Sequence, residues 1–356
     1  MLSTIIERSK RNKFTLIAEI GVNYYDVAKK LNISLLEAAK FMILSARNVG
    51  IHAVKFQTYK AETLASKYSP SYWDTKEEPT TSQYELFKKF DTFGESEYRI
   101  ISSFCEKIGI EFCSTPFDFE SADYLESLMN VYKISSSDLT NIPFITYIAK
   151  KGKPILLSTG ASNFDEIDEA VSCIRRYNDS ELALLHCVLE YPTPYAHANL
   201  AKIKALKDGF PDIIIGYSDH TKPDVHYDVV KTAYLLGATV IEKHFTVDKN
   251  LQGNDHYHAM DAHDAMKILM DIQNIDELRG TEKLCALESE KSARENARRS
   301  IVAAMDIPKG VIVTEDMLAF KRPGTGISPN RLAEIVGKIT RVDIRKDKLF
   351  EMCFLQ

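Results

Sequence analysis

The chain has 356 residues, with 45 Lys plus Arg against 50 Asp plus Glu, so its net charge is −5 and its pI near 6.0; no global basic field exists to hold nucleic acid or anionic lipid. Hydrophobic residues make up 45% and charged residues 27%, the balance of an ordinary soluble globular protein, and no apolar run reaches the roughly 18 residues of a membrane span. The start, MLSTIIERSKRNKF, lacks the apolar core and cleavage site of a signal peptide, and the cysteines (Cys105, Cys113, Cys173, Cys187, Cys285, Cys353) form no CxxC pair; the expected setting is cytoplasmic, with the cysteines reduced and structural.

In chain order, short β-branched runs recur, each ending in polar residues and leading into a helix-like stretch: FTLIAEIG (14–21), HAVKFQTY (52–59), IEFCSTPF (110–117), VYKISSSD (131–138), PILLSTGA (154–161), ELALLHCVLEY (181–191), DIIIGYSDH (212–220) and TVIEKHFTV (239–247). Strands alternating with amphipathic segments such as SLLEAAKFMILSARNVG predict an α/β fold, a (β/α)8 TIM barrel, over 1–280. An open dinucleotide-binding sheet would want a glycine-rich fingerprint after its first strand, and EIGVNYYD has a single glycine. The connection from about 60 to 95 carries the chain's only Trp, Trp73, and has the length of a lid or binding loop. The charged run ALESEKSARENARR (286–299) marks a linker, read over 281–298. Residues 299–356 carry turn signals at PKG and PGTG and one short helix at PNRLAEIVG, which predicts a small mostly-β second domain.

In such a barrel the active site lies at the C-terminal ends of the strands, so the polar residues closing them should converge. They are Glu19; Lys55 with Gln57; Ser114 with Thr115; Lys133 with Ser135 and Ser136; Ser158 with Thr159; His186 or Tyr191; Ser218 with His220; and Glu242 with His244. Lysines and hydroxyls from several strands make a cradle for phosphate or carboxylate oxygens, and a phosphorylated acid is the natural guest. His220 and His244 end neighbouring strands and are placed to share one divalent metal. Any one of these residues alone is more often a hydrogen-bonded or salt-bridged surface group; agreement among strands carries the functional reading. His256, His258 and His263 cluster in NDHYHAMDAHD, where the latter two read mainly as polar loop residues.

Taken together, AEIGVN, VKFQTYKAETL, STPFD, YKISSSD, PILLSTG, LLHCVLEYPTPY, IGYSDHT and IEKHFT resemble the sialic acid synthase family, and RRSIVAAMDIPKGVIVTEDMLAFKRPGTGISP resembles the antifreeze-like (SAF) domain that follows the barrel there. The resemblance implies condensation of phosphoenolpyruvate with a 2-acetamido-mannose-type aldose, releasing phosphate, with Mn2+ or Mg2+ held by His220 and His244. It places Glu19 in proton transfer, Lys55, Thr115, Lys133, Ser136, Ser158 and Ser218 around phosphoenolpyruvate, and Gln57, Tyr191 and Asp255 around the sugar. It also implies a domain-swapped homodimer in which Arg322 of one copy enters the other's active site.

Three positions depart from the family's pattern. Tyr24 stands where His is common, Asn254 replaces the proline of GPDH, and Leu189 stands where synthases using N-acetylmannosamine often carry Asn. An apolar wall at Leu189 suits a deoxygenated, diacetamido acceptor of the legionaminic type. N-acetylmannosamine, a phosphorylated acceptor as in other phosphoenolpyruvate–aldose condensing barrels, and an inactive carbohydrate-binding scaffold are the other readings.

Overall fold

In the computed structural model, which describes residues 3–73, 75, 78–224, 226–253 and 255–356, the chain divides into two units, Met1–Arg279 and Gly280–Gln356. Position 254, where the family's proline is replaced, lies outside the described residues. No described helix is long and apolar enough to cross a membrane.

The first unit is an eight-stranded TIM barrel. Its strands are β1 (Thr15–Gly21), β2 (Ala53–Thr58), β3 (Glu111–Pro116), β4 (Tyr132–Ile134), β5 (Ile155–Ser158), β6 (Leu182–Cys187), β7 (Ile214–Asp219) and β8 (Val240–His244). They run parallel in the order β3-β2-β1-β8-β7-β6-β5-β4. β3 and β4 are neighbours across the remaining seam, without a ladder among the described residues. Helices between the strands are set by local chemistry. Ser34 and Glu37 form a capping box that starts Leu35–Asn48, Asn163 and Glu166 do the same for Phe164–Tyr177, and left-handed Gly109 ends Glu95–Ile108.

Because side chains alternate along a strand, the barrel sorts its core into two layers. Leu16, Ala18, Val54 and Phe112 face outward and pack with the helices, while Ile17, Ala53, Cys113, Val131, Leu156 and Val240 fill the interior. Ile5 and Ile6, from the helix Thr4–Lys10, join this inner layer and close its N-terminal end, a plug that the opening sequence did not disclose. Continuing the inner files toward the C-terminal ends leads from Ile17 to Glu19, from Ala53 to Lys55 and Gln57, from Cys113 to Thr115, from Val131 to Lys133, from Leu156 to Ser158, and from Val240 to Glu242 and His244. Apolar floor and polar mouth are thus the same rows of residues.

The second unit pairs β9 (Ser300–Ala303) with β10 (Leu318–Lys321) in antiparallel fashion. Isolated bridges at Val302–Leu349, Ile307–Ile344 and Ile312–Ile339 surround a core of Ile301, Val313, Ile335 and Phe350. A 3-10 turn, Pro329–Glu334, stands where a short helix was expected. The segment read as linker is not plain coil: Lys291–Ala297 forms an exposed helix. Its Lys, Ala, Arg and Glu are strong helix formers, yet it has no apolar stripe to bury.

Candidate active site

The inner files converge on one cavity, lined by Glu19, Lys55, Gln57, Thr115, Lys133, Ser136, Ser158, Leu189, Tyr191, Ser218, His220, Glu242 and His244, together with Phe117, Ser135 and Cys187. Register explains the convergence: Glu19 pairs with Lys55 on one side and His244 on the other, Gln57 with Thr115, and Ser218 with Glu242. The bulge between Glu19 and Gly21 turns the end of β1. Gly21 takes φ +53 there, and a Cβ would sit 3.3 Å from both Gln57 Nε2 and Glu19 Oε1, so glycine is what lets the two side chains meet.

Alternation also separates candidates that the sequence left together. Thr115 faces the cavity, whereas Ser114 donates to Phe56 O on the far side of the strand. Tyr191 lines the cavity, whereas His186 is tied to Ala198 O at 2.8 Å and stacked on Tyr217. Thr159 donates to Leu185 O. Tyr24 stacks on Phe93 with ring centroids 4.6 Å apart, so its substitution for His falls in an aromatic core. Arg322 belongs to the second unit, where it is exposed.

The cavity is polar, buried and close to charge balance. Lys55 Nζ lies 2.7 Å from Glu19 Oε2 and 3.8 Å from Glu242 Oε1, and Lys133 Nζ lies 3.7 Å from the same Glu242 oxygen. Burial, reinforced by Glu242, raises Glu19 above the usual carboxylate range against the pull of Lys55. Burial would raise Glu242 as well, but Lys133 and Lys55 outweigh it and hold that group low. Burial would lower Lys55, but Glu19 and Glu242 outweigh it and raise that group. Burial lowers Lys133, with Glu242 opposing. Two carboxylates are thereby set apart: Glu242 stays ionised between the lysines, and Glu19 is disposed to exchange a proton.

The hydroxyls are arranged to donate to an anion. Lys55 Nζ donates to Thr115 Oγ1 at 2.9 Å and Gly160 N–H donates to Ser136 Oγ at 2.9 Å, so each oxygen keeps its own proton available. Ser158 Oγ is buried with no hydrogen-bond partner among the described residues. Ser218, by contrast, donates to Glu242 Oε1 at 3.1 Å.

His220 donates from Nδ1 to Val188 O at 2.8 Å, which leaves Nε2 as the nitrogen with a lone pair to offer a ligand. Its ring centroid is 5.5 Å from that of His244. Behind both rings a buried ion pair, Lys243 Nζ to Asp219 Oδ2 at 2.6 Å, joins the residues that adjoin them in sequence. His244 Nδ1 lies 3.7 Å from Asp255 Oδ2, and one donor atom each from His244, Asp255 and His258 lie within 4.8 Å of one another. Burial first, then neighbouring imidazoles, pushes His244 and His258 well below the usual histidine range, and burial raises Asp255 to about 6. Neutral imidazoles whose buried nitrogens lack partners among the described residues suit a divalent cation.

Sequence reading did not anticipate Cys187, whose Sγ lies 3.8 Å from His220 Nδ1, or the Lys243–Asp219 pair. It also placed His258 in a polar loop, whereas the residue is 0% exposed; His263, likewise read as a loop residue, lies exposed in the helix Ala262–Arg279. The signal for His258 was its spacing from Asp255, and that spacing gains meaning only once β8 brings His244 alongside.

The model of the NeuB family matches residues 42–284, and that of the SAF domain matches residues 298–350. The N,N'-diacetyllegionaminic acid synthase of Campylobacter jejuni is 38% identical over 343 residues, covering 95% of this chain and 98% of that protein. The protein of the same name from Legionella pneumophila is 36% identical over 329 residues, covering 90% of this chain and 89% of that one. Among solved structures, the N-acetylneuraminic acid (sialic acid) synthetase of Leptospira borgpetersenii, in complex with citrate, superposes with a TM-score of 0.67 at 32% identity, covering 79% of this chain and 90% of that chain.

Proposed function

The chain belongs to the NeuB family and carries a SAF domain, and from that premise we propose that it condenses phosphoenolpyruvate with an N-acylated mannose-type aldose, giving a nonulosonic acid and inorganic phosphate. The observation that carries the reading is the meeting of Glu19, two lysines, the hydroxyls and two histidines in one buried cavity. The acceptor we assign is a 2,4-diacetamido-2,4,6-trideoxymannose of the legionaminic type. Leu189 in the cavity wall supports it, as do the names of the Campylobacter and Legionella relatives.

In this reading Lys55 and Lys133 attract the carboxylate and phosphate of phosphoenolpyruvate, and Thr115, Ser136 and Ser158 donate to their oxygens. Ser218 keeps Glu242 oriented between the lysines. Gln57, Tyr191, Leu189 and Asp255 surround the sugar. C3 of phosphoenolpyruvate attacks the aldehyde carbon, water adds at C2, and the resulting tetrahedral carbon expels phosphate by C–O cleavage. Glu19 moves the proton at the sugar hydroxyl or at the attacking water. A divalent ion, Mn2+ or Mg2+, would be held by His220 and His244, and when bound it supplies Lewis-acid polarisation of the aldehyde. Arg322 from the SAF domain of a second copy would complete the sugar pocket, which makes the working form a homodimer.

The test is phosphate release and product mass from metal-reconstituted protein given phosphoenolpyruvate with, separately, N-acetylmannosamine, its 6-phosphate and 2,4-diacetamido-2,4,6-trideoxymannose. Metal-dependent release with the trideoxy sugar, lost in His220→Ala, is the expected result. Silence with all three from folded, metal-loaded protein would reduce the assignment to architecture.

A further inference from the structure

His258 occupies an unusual position for a histidine. Its side chain is 0% exposed, and neither ring nitrogen has a hydrogen-bond partner among the described residues. His256, two residues earlier and equally buried, shows the ordinary arrangement: its Nδ1 meets Thr246 Oγ1 at 2.7 Å and its Nε2 faces Asp26 Oδ2 at 3.4 Å. Burying an imidazole with both nitrogens unpaired costs free energy that a structural residue has no reason to incur, since a Leu or Phe would fill the same space without it.

What surrounds His258 indicates the missing partner. Its ring lies 4.9 Å from that of His244, and His244 Nδ1 is itself buried and unpaired among the described residues. The Asp255 carboxylate stands between them, with Oδ2 3.7 Å from His244 Nδ1 and Oδ1 4.0 Å from His258 Nε2. Both separations are too long for hydrogen bonds. Two donors on one first-row ion, each about 2.1 Å from it, stand roughly 3.0 to 3.4 Å apart, so a small inward movement would bring donors of His244, Asp255 and His258 onto one ion; His220 adjoins this set through His244, their ring centroids 5.5 Å apart.

We propose that His258 is a third imidazole ligand of the divalent ion, with the Asp255 carboxylate as a further donor between His244 and His258. This rests on the reading above that an ion works at His220 and His244, and it goes further by making the site a nitrogen-rich pocket that holds the ion before substrate arrives. Nitrogen-rich sites favour transition ions over Mg2+, which prefers oxygen donors and retains its waters. Of the two ions, Mn2+ is therefore held more tightly than Mg2+.

The test uses the full chain without phosphoenolpyruvate or sugar. Mn2+ binding is titrated by electron paramagnetic resonance of the free ion, Mg2+ is added as competitor, and electron spin-echo spectroscopy of 15N-histidine-labelled protein counts the coupled imidazoles. Expected are stoichiometric Mn2+, three imidazoles, and little displacement by Mg2+ at a hundredfold excess. His258→Phe and His258→Ala should each weaken Mn2+ by about tenfold or more and lower the imidazole count by one, while the metal-free Tm of His258→Phe holds or rises. Unchanged Mn2+ affinity in both variants, or two imidazoles in the wild type that vanish only in His220→Ala and His244→Ala, would overturn the assignment and leave the proposed reaction standing. Absence of Mn2+ binding together with metal-independent turnover by the wild type would remove the underlying metal reading as well. The imidazole count on unaltered protein decides the matter even if neither variant folds.

Discussion

Lys55 Nζ sits 2.7 Å from Glu19 Oε2 across paired positions of β2 and β1, with both side chains at most 4% exposed. The two partners are not equivalent, because Lys55 has a second carboxylate, Glu242, at 3.8 Å, whereas Glu19 relies on Lys55 and on the Gln57 amide that donates to its other oxygen. Removing the lysine leaves buried carboxylates with too little positive charge, and Lys55→Met should cost about 3–5 kcal/mol of stability. Glu19→Gln leaves Lys55 paired with Glu242, so its Tm should fall less while kcat drops roughly 10²- to 10⁴-fold. The double variant Glu19→Gln/Lys55→Met should regain part of the stability lost by Lys55→Met and none of the activity. Thermal denaturation alongside steady-state kinetics reads both; a Lys55→Met protein as stable as the wild type would contradict the coupling.

Ser158 Oγ is a buried hydroxyl without a partner among the described residues, so in the free protein it contributes no bond and bears a desolvation cost. Ser158→Ala should therefore leave ligand-free stability within about 0.5 kcal/mol of wild type or raise it slightly. If the hydroxyl serves the bound anion, the KM for phosphoenolpyruvate should rise about tenfold to a hundredfold, the worth of one hydrogen bond to a charged group. Ser218→Ala should behave differently, because its hydroxyl donates to Glu242 within the free protein and its loss lowers Tm directly. Parallel melts and phosphoenolpyruvate titrations distinguish the two serines.

Why Ser158 could be read from the sequence and His258 could not is a matter of periodicity. Ser158 follows Leu156 by two on β5, and once the strand is recognised the inner file fixes where its hydroxyl points. The same rule made Glu19, Lys55, Thr115, Lys133, Ser218, Glu242 and His244 legible together. Past the end of β8 no repeat governs direction, so His258, turned toward His244, reads as a polar loop residue alongside His263, while His256 is the one tied to Thr246 and Asp26. The choice between Ser114 and Thr115 or between His186 and Tyr191 needed the register. The plug at Ile5 and Ile6 needed the barrel to exist before its floor could be seen to require a cover.

His52, at the start of the segment that enters β2, is most of the way buried, and its Nδ1 accepts the Leu16 N–H at 3.0 Å. Burial, with Arg8 adding to it, pushes the imidazole down to about 4. The folded chain thus refuses a proton that the unfolded chain takes up near 6.5, so between these values the unfolded state binds more protons and stability rises with pH. On acidification from pH 7 to 4 this residue alone should withdraw up to about 3 kcal/mol. His52→Asn can keep an acceptor for Leu16 without titrating, and its loss of stability between pH 6.5 and 4 should be shallower. Urea midpoints at several pH values measure the difference; identical slopes would assign acid sensitivity to other groups.

Leu189 is half-buried in the wall of the candidate-site cavity, which Tyr191 also lines, and it presents methyl groups and no donor or acceptor. Such a wall tolerates a deoxygenated or acetamido-substituted carbon, and it offers nothing to a hydroxyl that must shed its water on entry. Leu189→Asn installs a donor and an acceptor at that point without changing charge. The ratio of kcat/KM for N-acetylmannosamine to that for 2,4-diacetamido-2,4,6-trideoxymannose should then rise by about tenfold or more, since a buried polar group penalises the sugar that leaves it unpaired. Both constants must be measured, because a general loss of activity would lower them together. A ratio that stays at the wild-type value while both sugars still turn over would show that the acceptor is chosen elsewhere in the cavity.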